Sequence, residues 1–389
     1  MPDVAPGSGK CIRFLSQNRP GPRMGMGHYE RLLIQSLLRS EAPQEGWRFS
    51  IRFAGRAPDG GLKPGDLDPG LSDAAFEGYS PARLALLPWP AARFAVNKLN
   101  RQPPPDLYHS LALAYPAPAG RPAVYTIHDL PPARFDDEGT LPVWSRQAAC
   151  LADVIITPSE FARRELITLL HVPEERVHVV PNGYERDVFH PLVASADTRM
   201  LAEHGVHGPF LLYSGGFTRR KNVQALLKAW ELLAPQYPEL SLVLAGPTDP
   251  LQALAAGSPA PRIVVAGYLE RSVLPRILRA STALVYPSIY EGFGLPPLEA
   301  MALGVPVVAV RQGAIPEVTG DCAVLAEDGT PESLSGAIRS LLDDSALAQS
   351  LRERGPARAA LFSWDAHAHQ VLSIYREVMS GRAVNHESE

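Results

Sequence analysis

Features that define several protein classes are scarce in this 389-residue chain. The three cysteines, Cys11, Cys150 and Cys322, lie far apart, which argues against a disulfide framework or a zinc site. No apolar run approaches the roughly 20 residues that a membrane-spanning helix needs. The formal net charge of -4 gives no support for a nucleic-acid partner. The first residues lack the apolar core of a signal peptide, so we expect a cytoplasmic protein and leave contact with the inner membrane face open.

Short apolar runs alternate with helical patterns along the chain, which predicts an α/β fold with parallel sheets and crossover helices. The pattern restarts near Phe210, so we expect two doubly wound, Rossmann-like domains facing each other across a cleft, at residues 1–190 and 191–363. A helix is predicted near 28–40, a loop at 55–72, a weakly patterned bridge at 191–208 and an amphipathic last helix near 364–379. Strands are predicted near 12–16, 49–54, 106–109, 122–127, 153–157, 176–180, 210–214, 241–246, 262–267, 283–287, 305–310 and 322–326.

The most informative stretch runs from Glu291 to Glu299, between two apolar runs. Its order predicts strand, glycine loop, helix and strand, with Pro297 in the first helical turn and Glu299 near the third helical position. Carboxylates can accept hydrogen bonds from sugar hydroxyls, while loop amides and a helix N-terminus can bind phosphate. In isolation, Glu299 would stabilise its own helix and Glu291 would lie in a solvated turn. The surrounding pattern instead favours a nucleotide-diphosphate sugar as ligand.

Arg220 and Lys221 precede Asn222, which we expect to cap a helix that begins at Val223. Two cations at the positive end of a helix are mildly unfavourable, which suggests that an anion compensates them. The alternative interpretation is two solvated cations beside a turn.

His128 ends a buried strand of the first predicted domain, so it either faces the ligand or bonds within its own loop. Gly25 and Gly27 open the first helix as a candidate phosphate or acceptor loop. A tight strand-to-helix turn fits equally well, because the third glycine of a dinucleotide fingerprint is absent. Asp66 and Asp68 match an Asp-x-Asp metal motif, but no strand precedes them, and we expect no metal there.

Together these stretches resemble the retaining glycosyltransferases of family 4, which have the two-domain GT-B fold. The resemblance implies that the last segment, residues 364–389, crosses back onto the first domain. It rests on residues 25–30, 126–130, 156–161, 180–183, the Glu-x7-Glu stretch 291–299, and residues 315–318 and 362–364.

The resemblance implies a catalytic set and a donor-binding set. Glu299 would hold the donor ribose, and His128 would lie near the C6 hydroxyl of the sugar. Many members carry an arginine where this chain has Gly216, so whether Arg219 or Arg220 replaces it stays open. The implied catalytic residues are His128, Glu291, Arg220 and Lys221, and the implied donor-binding residues are Gly216, Arg220, Lys221, Glu291, Gly292, Phe293, Gly294, Leu295 and Glu299.

The implied reaction transfers a mannose- or glucose-type sugar, with retention, from a nucleotide-diphosphate sugar to a hydroxyl of a glycan or lipid-linked acceptor. GDP-mannose is the first candidate donor and UDP-glucose or another UDP-sugar the second. Cations and a helix end would stabilise the leaving diphosphate, so we expect no metal and no cofactor. Residues 81–98 mix apolar residues with Arg83, Arg93 and Lys98, and either contact lipid head groups or pack as a helical hairpin.

Two other functions fit part of the pattern. One is a soluble sugar synthase or phosphorylase of similar fold. A pyridoxal-phosphate phosphorylase needs a Schiff-base lysine, however, and lysine occurs only at Lys10, Lys63, Lys98, Lys221 and Lys228. The other is a non-catalytic protein that binds nucleotide sugars, against which the intact set of Glu291, Glu299, Lys221 and His128 argues.

Overall fold

The computed structural model describes residues 9–16, 26–53, 70–71, 73–76, 87–99, 103–111, 113 and 116–381. The chain forms two compact units. Unit 1 comprises Met1–Ala133, Thr140–Gly183 and Trp364–Glu389, and unit 2 comprises Arg134–Gly139 and Tyr184–Ser363. The chain thus enters unit 2 after Gly183, whereas the sequence analysis divides it after residue 190. Tyr184 and Phe189 are buried in the core of unit 2, which accounts for the earlier passage.

Unit 1 contains a parallel sheet in the order β3-β2-β1-β4-β5-β6-β7. Its strands are β1 (Cys11–Ser16), β2 (Arg48–Phe53), β3 (Asp73–Phe76), β4 (Leu107–Ser110), β5 (Ala123–Thr126), β6 (Val154–Thr157) and β7 (Val177–Val179). Its described helices are α1 (Met26–Arg39), α2 (Trp89–Leu99), α3 (Ser145–Cys150), α4 (Glu160–Leu170) and the last helix of the chain, α13 (Trp364–Ser380). Short 3-10 helices cover Pro131–Ala133 and Glu174–Arg176.

Unit 2 repeats this arrangement with the order β10-β9-β8-β11-β12-β13. Its strands are β8 (Phe210–Ser214), β9 (Ser241–Ala245), β10 (Ile263–Gly267), β11 (Ala283–Tyr286), β12 (Val307–Val310) and β13 (Val324–Ala326). Its helices are α5 (Thr198–Glu203), α6 (Val223–Leu233), α7 (Thr248–Ala256), α8 (Leu274–Ala280), α9 (Leu295–Ala302), α10 (Ile315–Thr319), α11 (Pro331–Asp343) and α12 (Ser345–Ala359). Short 3-10 helices cover Asp136–Glu138 and Arg219–Lys221.

Every predicted strand is present, so the α/β class and the two doubly wound sheets are confirmed. Strand β3 was not predicted, because its four residues, Asp-Ala-Ala-Phe, contain no β-branched side chain. Helix α5, inside the predicted bridge, was not predicted either. That helix has only six residues, too few for an apolar period, and begins where the Asp197 side chain accepts a hydrogen bond from the Met200 amide at 2.8 Å.

The last helix has the amphipathic face that its spacing predicts. Ala368, Val371, Leu372 and Tyr375 are buried in the core that also holds Phe14 of β1 and Leu33 of α1. This packing makes α13 a structural part of unit 1, because it covers a parallel sheet that must be buried on both faces.

The strand order fixes where a ligand can approach unit 2. The chain moves from β8 outward to β10 on one side and then returns to add β11 on the other. The loops that follow β8 and β11 therefore leave the carboxyl edge of the sheet in opposite directions. Such a switch point leaves a crevice, which is the usual ligand position in open α/β sheets.

Candidate functional site

Glu291 lies in the loop after β11 and is almost fully buried, with 8% of its surface exposed. Its Oε1 atom accepts hydrogen bonds from Lys221 Nζ at 2.6 Å, Arg220 Nη1 at 3.2 Å and Ser288 Oγ at 2.5 Å. Burial alone would raise the pKa of Glu291, but Lys221 and Arg220 outweigh it and lower that pKa below the usual glutamate value. The carboxylate is therefore ionised and tightly held.

Both cations reach Glu291 from the loop after β8, in the short helix Arg219–Lys221. Lys221 also donates to Tyr286 Oη at 3.0 Å, at the end of β11. Arg220 Nε donates to Glu138 Oε1 at 2.7 Å, and the Arg219 amide donates to Asp137 Oδ2 at 2.7 Å. The anions beside the two predicted cations are thus carboxylates of the protein itself, and the interpretation as solvated cations is wrong. The side chains of Arg220 and Lys221 are only 17% and 13% exposed.

Asn222 has a different role from the one predicted. Helix α6 does begin at Val223, but the Asn222 side chain makes no capping hydrogen bond and its backbone is left-handed, with φ of 54°. Its Nδ2 atom instead donates to the carbonyls of Pro287 at 3.3 Å and Gly329 at 2.8 Å. The bond to Pro287 fixes the loop that carries Arg220 and Lys221 against the segment that leads to Glu291, and the bond to Gly329 fixes it against the segment after β13.

Glu299 lies on α9, which begins at Leu295. It is therefore the fifth helical residue and not the third, because the helix starts earlier than Pro297 suggested. Its Oε1 accepts from Arg271 Nη1 at 2.9 Å, and Arg271 Nε donates to Glu185 Oε2 at 2.7 Å. Although burial alone would lower the pKa of Arg271, Glu299 and Glu185 raise it. The sequence analysis missed Arg271 and Glu185, which are distant in sequence from the Glu-x7-Glu stretch.

The glycine loop between the two glutamates has the shape that the sequence predicts. Gly294 adopts φ of 112° at the start of α9, a conformation that side chains rarely allow. Gly292 is buried, and the Phe293 side chain is buried against Phe362, with ring centroids 5.6 Å apart. Leu295 packs on the core, and the Gly216 carbonyl accepts a hydrogen bond from Tyr213. Phe293 and Leu295 can therefore contact a ligand mainly through backbone groups.

His128 lies in unit 1, two residues after β5. Its ring meets the Tyr29 ring edge to face, with centroids 4.2 Å apart and an interplanar angle of 80°. Burial, followed by the neighbouring His367, lowers the pKa of His128 to about 4. A neutral imidazole can both donate and accept a hydrogen bond. Gly27 lies in the first turn of α1, whereas Gly25 and the pair Asp66 and Asp68 fall outside the described residues.

Two structural findings bear on membrane and metal binding. Across the described ranges, no helix is long and apolar enough to cross a bilayer. In the same ranges, no group of three or more His, Cys, Asp or Glu side chains could hold a metal ion. Of residues 81–98, which we expected either to contact lipid head groups or to pack as a helical hairpin, residues 87–98 are described. Residues 89–98 lie in α2, where Phe94 is 67% exposed.

Two family models match the chain, one in each half. Glycosyltransferase Family 4 matches residues 41–188, and Glycosyl transferases group 1 matches residues 202–358. O-antigen chain mannosyltransferase B from Escherichia coli is 32% identical over 58% of this chain and 61% of its own length. Alpha-maltose-1-phosphate synthase from Mycolicibacterium smegmatis is 33% identical over 69% of this chain and 76% of its own length. This chain belongs to glycosyltransferase family 4.

The solved structures agree on the fold of this family 4 member. Sucrose-phosphate synthase from Thermosynechococcus elongatus superposes with a TM-score of 0.75, covering 96% of this chain and all of that one at 22% identity. The GT-B fold is thereby confirmed. The alignment spans about three fifths of the first relative's length.

The predicted catalytic residues therefore divide between the two units, whereas the predicted donor-binding residues all lie in unit 2. Unit 2 brings Arg220, Lys221 and Glu291 into one hydrogen-bonded cluster, and places Glu299 in a second cluster with Arg271. His128 belongs to unit 1. The sequence analysis also missed Glu138, which lies in the stretch 134–139 that departs from unit 1 to join unit 2. A run of three acidic residues, Asp136 to Glu138, after a proline pair was the available signal.

The backbone at Gly313 packs tightly against the backbone of Glu291, and a substitution there can test this packing. The φ of Gly313 is 63°, and an added Cβ would lie 2.8 Å from both the amide nitrogen and the carbonyl oxygen of Glu291. We expect Gly313→Ala to lower the free energy of unfolding by about 1–3 kcal/mol, measured as a lower thermal midpoint. Gly336 in α11 is the matched control, because nothing lies within 4 Å of an added Cβ. Gly336→Ala should be neutral or stabilise by about 0.4–1 kcal/mol. Equal midpoints for both variants would contradict the tight packing.

Proposed function

We propose that the protein is a retaining hexosyltransferase that moves a mannose- or glucose-type sugar from a nucleotide-diphosphate sugar to a hydroxyl of a glycan or lipid-linked acceptor. The observation that carries the proposal is the buried cluster of Glu291, Lys221 and Arg220 at the switch point of unit 2. It combines the acceptor and donor groups that a sugar diphosphate requires. GDP-mannose remains the first candidate donor, supported by the mannosyltransferase name of one relative. A UDP-sugar such as UDP-glucose is the second.

The balance of charge around Arg220 supports binding of the diphosphate. The Arg220 and Lys221 side chains face the carboxylates of Glu138 and Glu291, and the Arg219 backbone amide donates to Asp137. As the glycosidic bond breaks, negative charge grows on the leaving phosphate oxygen. Preorganised cations then stabilise the transition state more than the ground state. In this proposal Arg220 takes the place of the arginine that many family members have at the Gly216 position, because its guanidinium already lies beside Lys221.

The second cluster supports the ribose role of Glu299. Arg271 holds one carboxylate oxygen and keeps the side chain in a fixed rotamer, as a preorganised hydroxyl acceptor requires. We propose that the amides of Phe293 and Gly294 hold sugar hydroxyls, with Gly292 and Leu295 shaping the same loop. His128 would act near the C6 hydroxyl, and Gly25 and Gly27 are proposed to contact phosphate or acceptor.

We further propose that turnover needs no metal and no cofactor, because protein cations neutralise the leaving group. Full activity after exhaustive dialysis against EDTA is the expected result. Loss of activity that Mg²⁺ or Mn²⁺ restores would contradict this part of the proposal.

A soluble synthase that transfers the sugar to a small phosphorylated or free sugar is the second candidate. It is favoured by the synthase names of one relative and of one solved structure. The exposed Phe94 and the neighbouring Lys98 on α2 favour the lipid-linked acceptor, because such a pair suits a head-group boundary. Contact with a membrane surface is therefore part of the first proposal alone.

Lys221→Ala tests the proposed function directly. We expect kcat to fall by roughly 100-fold, with a smaller effect on the KM of the donor, because the lost charge matters most in the transition state. Lys228→Ala is the matched control, since Lys228 lies exposed on α6. Donor turnover is measured by release of nucleoside diphosphate across a panel of GDP- and UDP-sugars. A Lys221→Ala enzyme with the kinetics of the Lys228→Ala control would place the phosphate site elsewhere.

Glu138→Gln tests the charge balance. Glutamine can still accept the hydrogen bond from Arg220 Nε, but the variant removes one negative charge beside the phosphate position. We expect the affinity for free nucleoside diphosphate to rise by roughly three- to tenfold, and the gain to shrink as salt increases. Calorimetric titration at two ionic strengths measures both effects. Weaker binding would mean that Glu138 serves mainly to hold Arg220.

A further inference from the structure

A chain of buried polar side chains runs through unit 1 beneath His128. Tyr375 Oη lies 2.5 Å from His109 Nδ1, and His109 Nε2 lies 2.8 Å from Thr126 Oγ1. Thr126 Oγ1 lies 3.3 Å from Tyr29 Oη, which lies 3.1 Å from His367 Nε2. His367 Nδ1 ends the chain 2.9 Å from the Pro181 carbonyl oxygen. All five side chains are at least 97% buried.

The Pro181 carbonyl determines the direction of every hydrogen bond. A carbonyl can only accept, so His367 must carry its proton on Nδ1 and accept through Nε2. Tyr29 must then donate to His367, which leaves its oxygen to accept from Thr126. Thr126 in turn accepts from His109 Nε2, and the remaining His109 Nδ1 accepts from Tyr375. When both imidazoles are neutral, only this set of proton positions places one proton in each of the five hydrogen bonds.

The neutral state of both histidines has a physical cause. Burial, followed by the neighbouring His367 and His128, lowers the pKa of His109 to about 3. Burial lowers the pKa of His367 to about 4, against hydrogen bonds to the Pro181 and Val180 backbones that raise it. At neutral pH each imidazole therefore has one nitrogen that donates and one that accepts, as the direction of the hydrogen bonds requires.

The series of hydrogen-bonded side chains contacts His128 through the ring of Tyr29. The Tyr29 hydroxyl is fixed between Thr126 and His367, and the edge-to-face contact places its ring against the His128 imidazole. Thr126 also ends β5, and only Ile127 separates it from His128. Packing against the hydrogen-bonded Tyr29 ring thus restricts the orientation of the His128 ring.

We propose that Tyr29 and His367 are positioning residues that hold His128 for sugar transfer, through the directional hydrogen-bond chain from Tyr375 to the Pro181 carbonyl. This inference rests on the role that the proposed function gives to His128. It makes the last helix, α13, part of the reactive arrangement, because α13 supplies both His367 and Tyr375.

A double-mutant cycle tests the positioning role. Tyr29→Phe keeps the ring but removes the hydroxyl, which leaves His367 Nε2 without its donor and the Thr126 hydroxyl without its acceptor. We expect kcat to fall roughly tenfold, with the KM of the donor changed less than twofold, because a small misplacement of a reacting group is costly. In a His128→Ala background the same change should have no further effect on kcat. His369→Ala is the control on α13, because His369 is exposed and should keep wild-type kcat.

The kinetic results distinguish the positioning role of Tyr29 from the role that the proposed function gives to His128. Equal fold losses from Tyr29→Phe in both backgrounds, or wild-type kcat for Tyr29→Phe alone, would overturn the positioning role and leave the proposed function intact. Wild-type activity of His128→Ala would instead remove His128 from the proposed function.

A spectroscopic measurement on the unaltered enzyme covers the case in which Tyr29→Phe fails to fold. Two-bond proton–nitrogen correlations of histidine-labelled protein should show His109 protonated on Nε2 and His367 on Nδ1. The opposite tautomer at either residue would break the chain and overturn the inference.

Discussion

The ion cluster around Glu291 is the constraint on which the proposed donor site of unit 2 depends. A buried carboxylate is costly unless cations and further hydrogen bonds compensate it, and removing one partner of such a cluster costs more than removing the whole. Lys221, Arg220 and Ser288 supply that compensation from two loops of the sheet. The loops after β8 and β11 meet only at the switch point in the strand order. The cluster therefore depends on the doubly wound topology, and its hydrogen bonds in turn hold these two loops together.

The same cluster contributes both to the stability of unit 2 and to the proposed binding of the diphosphate. Arg220 binds Glu138 in the stretch 134–139, while Phe135 of that stretch contacts Tyr290 edge to face, with centroids 5.6 Å apart. A diphosphate that enters the site would have to share these cations with carboxylates that already hold them. In the proposed function, binding would therefore redistribute charge within a preformed frame, which would limit the rearrangement needed to reach the transition state. In unit 1, by contrast, the polar interior beneath His128 is neutral and held by directional hydrogen bonds.

Much of this architecture is readable from the sequence, for physical reasons. Parallel strands buried on both faces give apolar runs such as Val307–Val310, and the restart at Phe210 marked the second sheet. The glycine-containing loops beside charged residues predicted that Glu291 and Lys221 bind the ligand. The spacing could not show how side chains from distant segments pair. Arg271 is 28 residues from Glu299, Glu185 is 86 residues from Arg271, and Glu138 is 82 residues from Arg220. The Asn222 cap failed because two backbone carbonyls competed for its side chain.

The most direct measurement of the central claim is calorimetric titration of nucleoside diphosphate into wild-type protein and Glu299→Gln. The account places the nucleotide on unit 2 with its ribose on Glu299, so the substitution replaces a charged acceptor with a neutral one of the same shape. We expect binding to weaken roughly tenfold or more, because a hydrogen bond to a charged group contributes about 1.5–3 kcal/mol. Glu332→Gln, exposed on α11, is the matched control and should bind like wild type. Unchanged affinity in a folded Glu299→Gln protein would contradict the account.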